Sequence, residues 1–285
     1  MLTTSAKNIA VLCNQLAGAG RAVVFADRLC AELQKLGLAH TLFTQQWPDH
    51  FDGYTEIYIT GGDGTLNYFV NKYPDTRLPL AIFNAGTGND FHWLLYGTKT
   101  FHEQLQTVLQ ARAKPIDLGR CNEYYFINGV GIGFEGEVAR ALTGRKKQPG
   151  KTSFLWCVIR KIFSYRSKHY TIRFGDQEIS GKKLLVDIAN GRRAGGGFHI
   201  APESAADDGL FDVVIAGALT PIQRLRYLPV IEKGKHLHLH FIRHNRTNRL
   251  RIESDAPMQF HLDGEYREAR VLDIHMLAGQ LHFLY

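Results

Sequence analysis

The run Thr60-Gly61-Gly62-Asp63-Gly64-Thr65-Leu66-Asn67 constrains this chain more than any other. It follows a short apolar run, Ile57-Tyr58-Ile59, and leads into residues 66–72, whose pattern predicts a helix. Strand, glycine turn and helix follow one another. Three glycines in four positions let the backbone approach a ligand closely with its amides outward. The helix behind them adds roughly half a positive charge at its N-terminus, which suits phosphate. Asp63 would repel a bare phosphate, so its place here fits a nucleotide triphosphate site with Mg²⁺ between carboxylate and phosphates. A turn that only joins a strand to a helix would use the same residues.

Two further glycine turns share this context. Residues 9–13 are apolar and precede Asn14-Gln15-Leu16-Ala17-Gly18-Ala19-Gly20-Arg21. A helix is predicted next, with Ala22, Ala26, Leu29, Leu33 and Leu36 on one face and its end at Gly37. No Lys-Ser/Thr follows Gly20, so this is not a Walker loop, and the spacing does not fit a dinucleotide fingerprint. Residues 40–44 and 78–83 read as strands, the latter closed by Asn84-Ala85-Gly86-Thr87-Gly88-Asn89-Asp90-Phe91. Residues 101–111 read as a helix, and Ile116-Asp117-Leu118-Gly119 begins another strand. Strands alternating with helices predict a parallel sheet flanked by helices. Ligands gather at the carboxyl ends of such strands, where all three glycine turns fall.

After Gly119 the pattern changes. Residues 124–127, 169–174, 184–189, 210–216, 250–253, 259–262 and 271–276 read as strands, and only 152–164 and 221–231 as helices. The expected organisation is an α/β domain over 1–119 and a β-sandwich or otherwise β-rich domain over 120–275. The second part has a dense turn, Gly195 to Pro202, followed by Asp207-Asp208-Gly209-Leu210-Phe211-Asp212, a loop that suits either a hard cation or a plain β-turn. Leu262-Asp263-Gly264-Glu265 is an acidic turn that suits either a hairpin or a general base. His236, His238 and His240 alternate as they would on one face of a strand, more in keeping with a polar outward face than with a metal site.

At 285 residues the chain has room for two cores. Its four cysteines show no zinc or disulfide spacing, which points to a reduced, cytoplasmic setting. No apolar run approaches 18 residues, and no basic segment leads into an apolar run at the N-terminus, so neither a signal peptide nor a transmembrane helix is expected. The net charge of +7 is concentrated: residues 138–175 hold ten Lys or Arg and no Asp or Glu. With Phe154, Trp156, Phe163 and Tyr165 among those bases, the segment suits peripheral contact with an anionic membrane, although a solvated helix face has the same composition. No recognition motif for nucleic acid accompanies the charge.

Four stretches in this order resemble the diacylglycerol kinase catalytic-domain family: Gly61 to Asn67, Gly86 to Phe91, Gly195 to Pro202 with Asp207 to Asp212, and Asp263-Gly264-Glu265. The branch most similar is that of the soluble bacterial lipid kinases, related to sphingosine and ceramide kinases. The resemblance implies an N-terminal α/β nucleotide domain, a C-terminal β-sandwich and an active site in the cleft between them, with the last residues, about 276–285, returning to the first domain. It implies ATP contacts from Asn14, Gly18, Thr44, Gly61, Gly62, Asp63, Gly64, Thr65, Leu66, Asn67, Thr87 and Asn89. Asp63, Asp90 and Asp117 would form a carboxylate network around a catalytic Mg²⁺, and a second Mg²⁺ would sit on Asp208 with the carbonyls of Ala205 and Leu210. Glu265 or Asp263 would be the base. The implied activity is transfer of the ATP γ-phosphoryl group to a lipid hydroxyl, diacylglycerol-like, at the inner face of the membrane. An NAD kinase-like enzyme shares the Gly-Gly-Asp-Gly run, and a catalytically silent nucleotide- or membrane-binding regulator would share the fold. The chain departs from the family pattern at Ala17, Tyr68 and Phe91-His92-Trp93. Its oligomeric state is not readable from sequence.

Overall fold

A computed structural model describes residues 7–143 and 151–285, with the backbone alone over 151–154. The chain forms two compact units: one built from the chain up to Ile116 together with Gln280–Tyr285, the other from Asp117–Gly279.

The first unit runs β1 (Asn8–Cys13), α1 (Arg21–Lys35), β2 (Ala39–Phe43), β3 (Glu56–Gly61), α2 (Asp63–Lys72), β4 (Leu80–Asn84), α3 (Asp90–Tyr96) and α4 (Phe101–Gln110). Strand β1 pairs in parallel with β2 and β3, and β3 in parallel with β4. Ile9 to Cys13, Ile57 to Thr60 and Leu80 to Phe83 are fully buried, as near-continuous apolar runs are in a parallel sheet covered on both faces. Helix α1 buries Ala22, Ala26, Leu29 and Leu33, and the two alanines let it pack closely on Cys13 and Ala85. Leu36 does not join that face. It is the helix C-cap, 54% exposed. Helix α4 begins on a Thr100–Glu103 capping box. The chain's end completes this core: Phe283 pairs in parallel with Leu80 and packs on Phe91, and Tyr96 donates its hydroxyl to the Leu284 carbonyl.

The second unit continues with β5 (Ala113–Cys121), β6 (Tyr124–Phe126), β7 (Gly129–Gly133), α5 (Phe134–Leu142), α6 (Lys151–Ser164), β8 (Lys168–Phe174), β9 (Gln177–Ala189), β10 (Phe211–Gly217), α7 (Pro221–Glu232), β11 (Ile242–Thr247), β12 (Arg249–Leu262) and β13 (Glu265–Leu284), of which β5 begins and β13 ends in the first unit. Its pairings are antiparallel, in the order β11-β10-β9-β7-β12-β13, with β8 against β9 and β12. Side chains alternate along β9. Val186 and Ile188 join one core with Tyr170, Phe211 and Ile274, while Leu185 and Ala189 join another with Phe134, Val158, Ile162 and Tyr165 from the helices.

Several expectations change here. Residues 134–142 form a helix that was not among the expected elements. Residues 250–253 and 259–262 belong to one strand, β12, with a register shift between Glu253 and Met258. The 236–240 run is a set of turns and not a strand, because Leu237 and Leu239 pack against the core and the buried His236 sets Nε2 3.0 Å from the Ile200 carbonyl oxygen. Of the basic segment, Arg145, Lys146 and Lys147 lie outside the described residues, as do the side chains of Lys151 and Phe154.

Candidate active site

In the first unit the parallel register ends β1, β3 and β4 together: Cys13 aligns with Thr60, and Gly61 with Asn84. The three glycine turns therefore meet at one sheet edge. A Cβ on Gly18 would stand 2.0 Å from the Ala85 carbonyl oxygen, and Gly18 has φ +60°, so only glycine fits. Arg21, at the start of α1, ties the turns together by donating Nε to the Gly18 carbonyl at 3.0 Å and Nη2 to the Gly86 carbonyl at 2.9 Å. Asn14 donates Nδ2 to Thr65 Oγ1 at 3.1 Å and accepts the Leu16 N–H on Oδ1. Asn89 closes the third turn by accepting the Gly86 N–H at 3.0 Å.

Asp63 is the first residue of α2 after the Gly62 cap. Its two carboxylate oxygens accept the N–H groups of Asp90 and Phe91, each at 3.1 Å, so it caps α3 while opening α2. Burial raises its pKa, and the backbone donors and nearby His92 oppose that rise. The amides of Asp63 and Gly64, in the first turn of α2, have no intrahelical carbonyl to bond. The other expected contacts divide. Gly64 and Thr87 are exposed, and Thr44 is half-buried just beyond β2. Thr65, Asn67, Asn89 and Asp90 are buried polar groups around the turns. Leu66 is fully buried and bonds its N–H to the Gly62 carbonyl, so it acts as a packing residue.

The departures from the family pattern are accommodated locally. His92 is buried, with Nε2 3.0 Å from Gln104 Oε1, and Gln104 donates to the Ile82 carbonyl. Tyr68 lies on the surface against Trp47. Ala17 bonds its N–H to the Asn14 carbonyl. Sequence reasoning passed over Arg21; its place directly after a glycine turn at a helix start was the available signal.

In the second unit, Asp263 and Gly264 form a two-residue hairpin between β12 and β13, with φ of +50° and +92°. The Asp263 carboxylate accepts three amides, those of Ile127, Asn128 and Gly129, each at 2.9 Å. Glu265, next along, is exposed at the start of β13. Asp117 belongs to this unit, where Oδ2 accepts the Gly209 N–H and Oδ1 the Gly279 N–H, both at 2.7 Å. Burial is the main reason its pKa is raised, helped by Asp208 and Asp207. Two asparagines tie these loops into one network. The fully buried Asn190 donates to the carbonyls of Asp117 and Ile127, and Asn128 donates to the Arg193 carbonyl beside the Gly195 turn. Each opens an Asn-Gly pair at a strand boundary, a turn signal that was available in the sequence.

Hard cations would find different settings at the two expected metal positions. Among the described residues, no group of three or more His, Cys, Asp or Glu is placed to hold a metal alone. Asp63 with Asp90, beside amides that suit phosphate, fits a Mg²⁺ that shares its ligands with a nucleotide. Asp208 is different. It carries an ion pair to Arg246 and accepts the Leu210 N–H at 3.0 Å, so a guanidinium already supplies its counter-charge. A cation on the Ala205–Asp208–Leu210 set would have to displace the Arg246 side chain, which is 45% exposed.

The chain resembles known proteins along its length. Residues 8–121 match the diacylglycerol kinase catalytic domain, and residues 128–284 match the YegS C-terminal NAD kinase beta sandwich-like domain. The chain is 29% identical over 214 residues to the diacylglycerol kinase of Bacillus subtilis (strain 168), covering 74% of this chain and 71% of that protein. It is 31% identical over 238 residues to a protein of Alcanivorax borkumensis described as a probable lipid kinase YegS-like, covering 81% of this chain and 78% of that one. In fold it is similar to a crystal structure of a diacylglycerol kinase from Bacillus anthracis str. Sterne, with a TM-score of 0.70, 20% identity, and coverage of 99% and 98% of the two chains. Among the described residues no helix is long and apolar enough to cross a membrane.

Proposed function

This chain belongs to the bacterial diacylglycerol kinase and YegS-like lipid kinase family, and on that premise we propose that it moves the γ-phosphoryl group of ATP to the hydroxyl of a diacylglycerol-like lipid. The observation that carries the assignment is the junction of three glycine turns at the carboxyl edge of the parallel sheet, with Asp63 heading α2.

Phosphoryl transfer needs little covalent chemistry from a protein; positioning and neutralisation of charge do most of the work. The amides of Asp63 and Gly64 at the start of α2 donate to the nucleotide phosphates, with Thr87 and the Asn14–Gly18 loop alongside. Arg21 holds the Gly18 and Gly86 turns in register and brings a guanidinium to the same edge. Mg²⁺ bound with ATP supplies neutralisation of the phosphate charge, and Asp63 and Asp90 are the acids that would hold it. Glu265 accepts the lipid hydroxyl proton as that oxygen bonds to the γ-phosphorus and the bond to the β–γ bridging oxygen breaks, leaving ADP. Asp263 is the weaker candidate for base, because its oxygens already accept three amides. Its task is to hold the hairpin that presents Glu265.

The lipid is met at a membrane surface through the basic segment of residues 138–175. The assignment is tested by incubating the full chain with γ-labelled ATP, Mg²⁺ and diacylglycerol in mixed micelles. Label in the lipid fraction, lost in an Asp63→Ala protein that remains folded, with a thermal transition lowered because the Asp90 and Phe91 amides lose their acceptor, is the expected result. An Asp63→Ala protein of unchanged activity would sink it.

A further inference from the structure

Helix α6 has two apolar faces. Cys157, Val158 and Ile162, with Tyr165 just past the helix end, turn into the core of the second unit. Trp156, Ile159 and Phe163 recur at helical spacing on the other side, where Trp156 is 63% and Phe163 61% exposed. Helix α7 shows the same excess, with Ile222 79% and Leu225 47% exposed. The two helices are fixed to each other. Buried Arg224 of α7 donates Nη1 to the carbonyls of Ile162 at 2.9 Å and Tyr165 at 2.7 Å, at the end of α6. A guanidinium so placed gives the helix pair one arrangement.

Charge identifies what these faces meet. Arg160 lies in the exposed stripe of α6, Arg166 just beyond the helix and Arg226 on α7, all exposed. No acid occurs between residues 138 and 175, and Glu137, just before that stretch, is answered by Lys161 at 2.8 Å. A second copy of the chain would bring the same arginines against themselves. A bilayer with anionic headgroups complements both the apolar side chains and the cations, and aromatic rings beside Arg suit the headgroup boundary.

We propose that α6 and α7 form a membrane-docking element that seats Trp156, Ile159, Phe163, Ile222 and Leu225 in the headgroup and upper acyl layer of an anionic bilayer, with Arg160, Arg166 and Arg226 at the phosphates. This rests on the lipid-kinase reading for its purpose. It deepens that reading by assigning the contact to two apolar helix faces, one of them outside the basic segment.

The test is co-sedimentation of the full chain with vesicles of phosphatidylcholine, alone and mixed with phosphatidylglycerol. Trp156→Ser with Phe163→Ser lowers partitioning into mixed vesicles about tenfold. Ile222→Ser with Leu225→Ser lowers it by a smaller factor. Arg160→Gln with Arg166→Gln removes the preference for mixed over neutral vesicles. Partitioning of the Trp156/Phe163 variant within about twofold of the parent would overturn the proposal. So would sedimentation showing a dimer that these substitutions dissociate while vesicle binding persists. Turnover of a dispersed short-chain diacylglycerol without vesicles is read in parallel, and all variants keep the parent rate. A parent chain that phosphorylates no lipid, yet loses vesicle binding on these substitutions, would remove the kinase reading and leave the docking element standing.

Discussion

Gly62 and Gly86 pack backbone against backbone: a Cβ on Gly86 would stand 2.5 Å from Gly62 Cα, and one on Gly62 would stand 2.8 Å from Gly86 Cα. Neither neighbour can yield, because each belongs to a turn anchored on a buried strand. Gly86→Ala is expected to lower stability by about 2–3 kcal/mol through overpacking and to weaken ATP binding more than tenfold. Urea unfolding and nucleotide titration of the same protein check both effects. A Gly86→Ala chain with unchanged ATP affinity would show that the contact between the turns does not shape the phosphate site.

Asp263 and Glu265 separate by what their substitution damages. Asp263→Ala leaves three backbone amides without their acceptor and is expected to cost about 3 kcal/mol of stability. Glu265→Gln removes an exposed carboxylate, so the thermal transition stays in place while kcat falls by about 10²–10⁴. Calorimetry alongside steady-state kinetics distinguishes the two. If Glu265→Gln keeps parental kcat, the proton goes elsewhere.

A third outcome concerns pH. Asp187 is buried on β9, and burial, then the charge of Glu135, then their shared hydrogen bond push its pKa well above the ordinary carboxylate range. His261 Nε2 lies 3.6 Å from Glu135 Oε2, and the charge of Glu135 also reaches the buried His236. An acid whose pKa is raised by folding stabilises the native state at low pH, and that stabilisation is lost as pH rises through the raised value. Asp187→Asn removes this dependence. As pH rises from the ordinary carboxylate range through the raised value, the parent is expected to lose more thermal stability than the variant. Parallel Tm–pH curves for the two would show that Asp187 does not carry the effect.

Arg21 offers a fourth check. Arg21→Met keeps the length of the stem but removes the bonds to the Gly18 and Gly86 carbonyls. KM for ATP should rise about tenfold, with KM for the lipid unchanged. An equal rise for both substrates would point to a general loosening of the unit.

Much of the first unit was legible because its chemistry follows one rule. The turns at Gly18, Gly62 and Gly86 all follow parallel strands, so their convergence came from alternation alone. What the sequence concealed is how the groups are occupied. Nothing in a linear reading shows that Asp63 accepts two amides of α3, that Arg246 neutralises Asp208, or that Asp117 bonds Gly209 and Gly279. The second unit was harder. Helix α5 directly follows the glycine-rich β7 and contains Gly136, so its nine residues read as loop, although Phe134, Val138, Ala141 and Leu142 recur at helical spacing and pack on one core. The alternating histidines suggested a strand because period-2 patterning carries no information about where the backbone must turn to bury Leu237 and Leu239. Asn128 and Asn190 join the second unit's motifs, yet each looks like an ordinary turn residue until the network is seen.

Whether ATP and a lipid hydroxyl are the substrates is decided by following label from γ-labelled ATP into a panel holding diacylglycerol, phosphatidylglycerol, a sphingoid base and NAD, for the parent chain and for Glu265→Gln. Label should enter a lipid of the panel, with diacylglycerol the best acceptor, stay out of NAD, and fall by about 10²–10⁴ in the variant. Label in NAD and in no lipid, or equal lipid labelling by both proteins, would contradict the assignment.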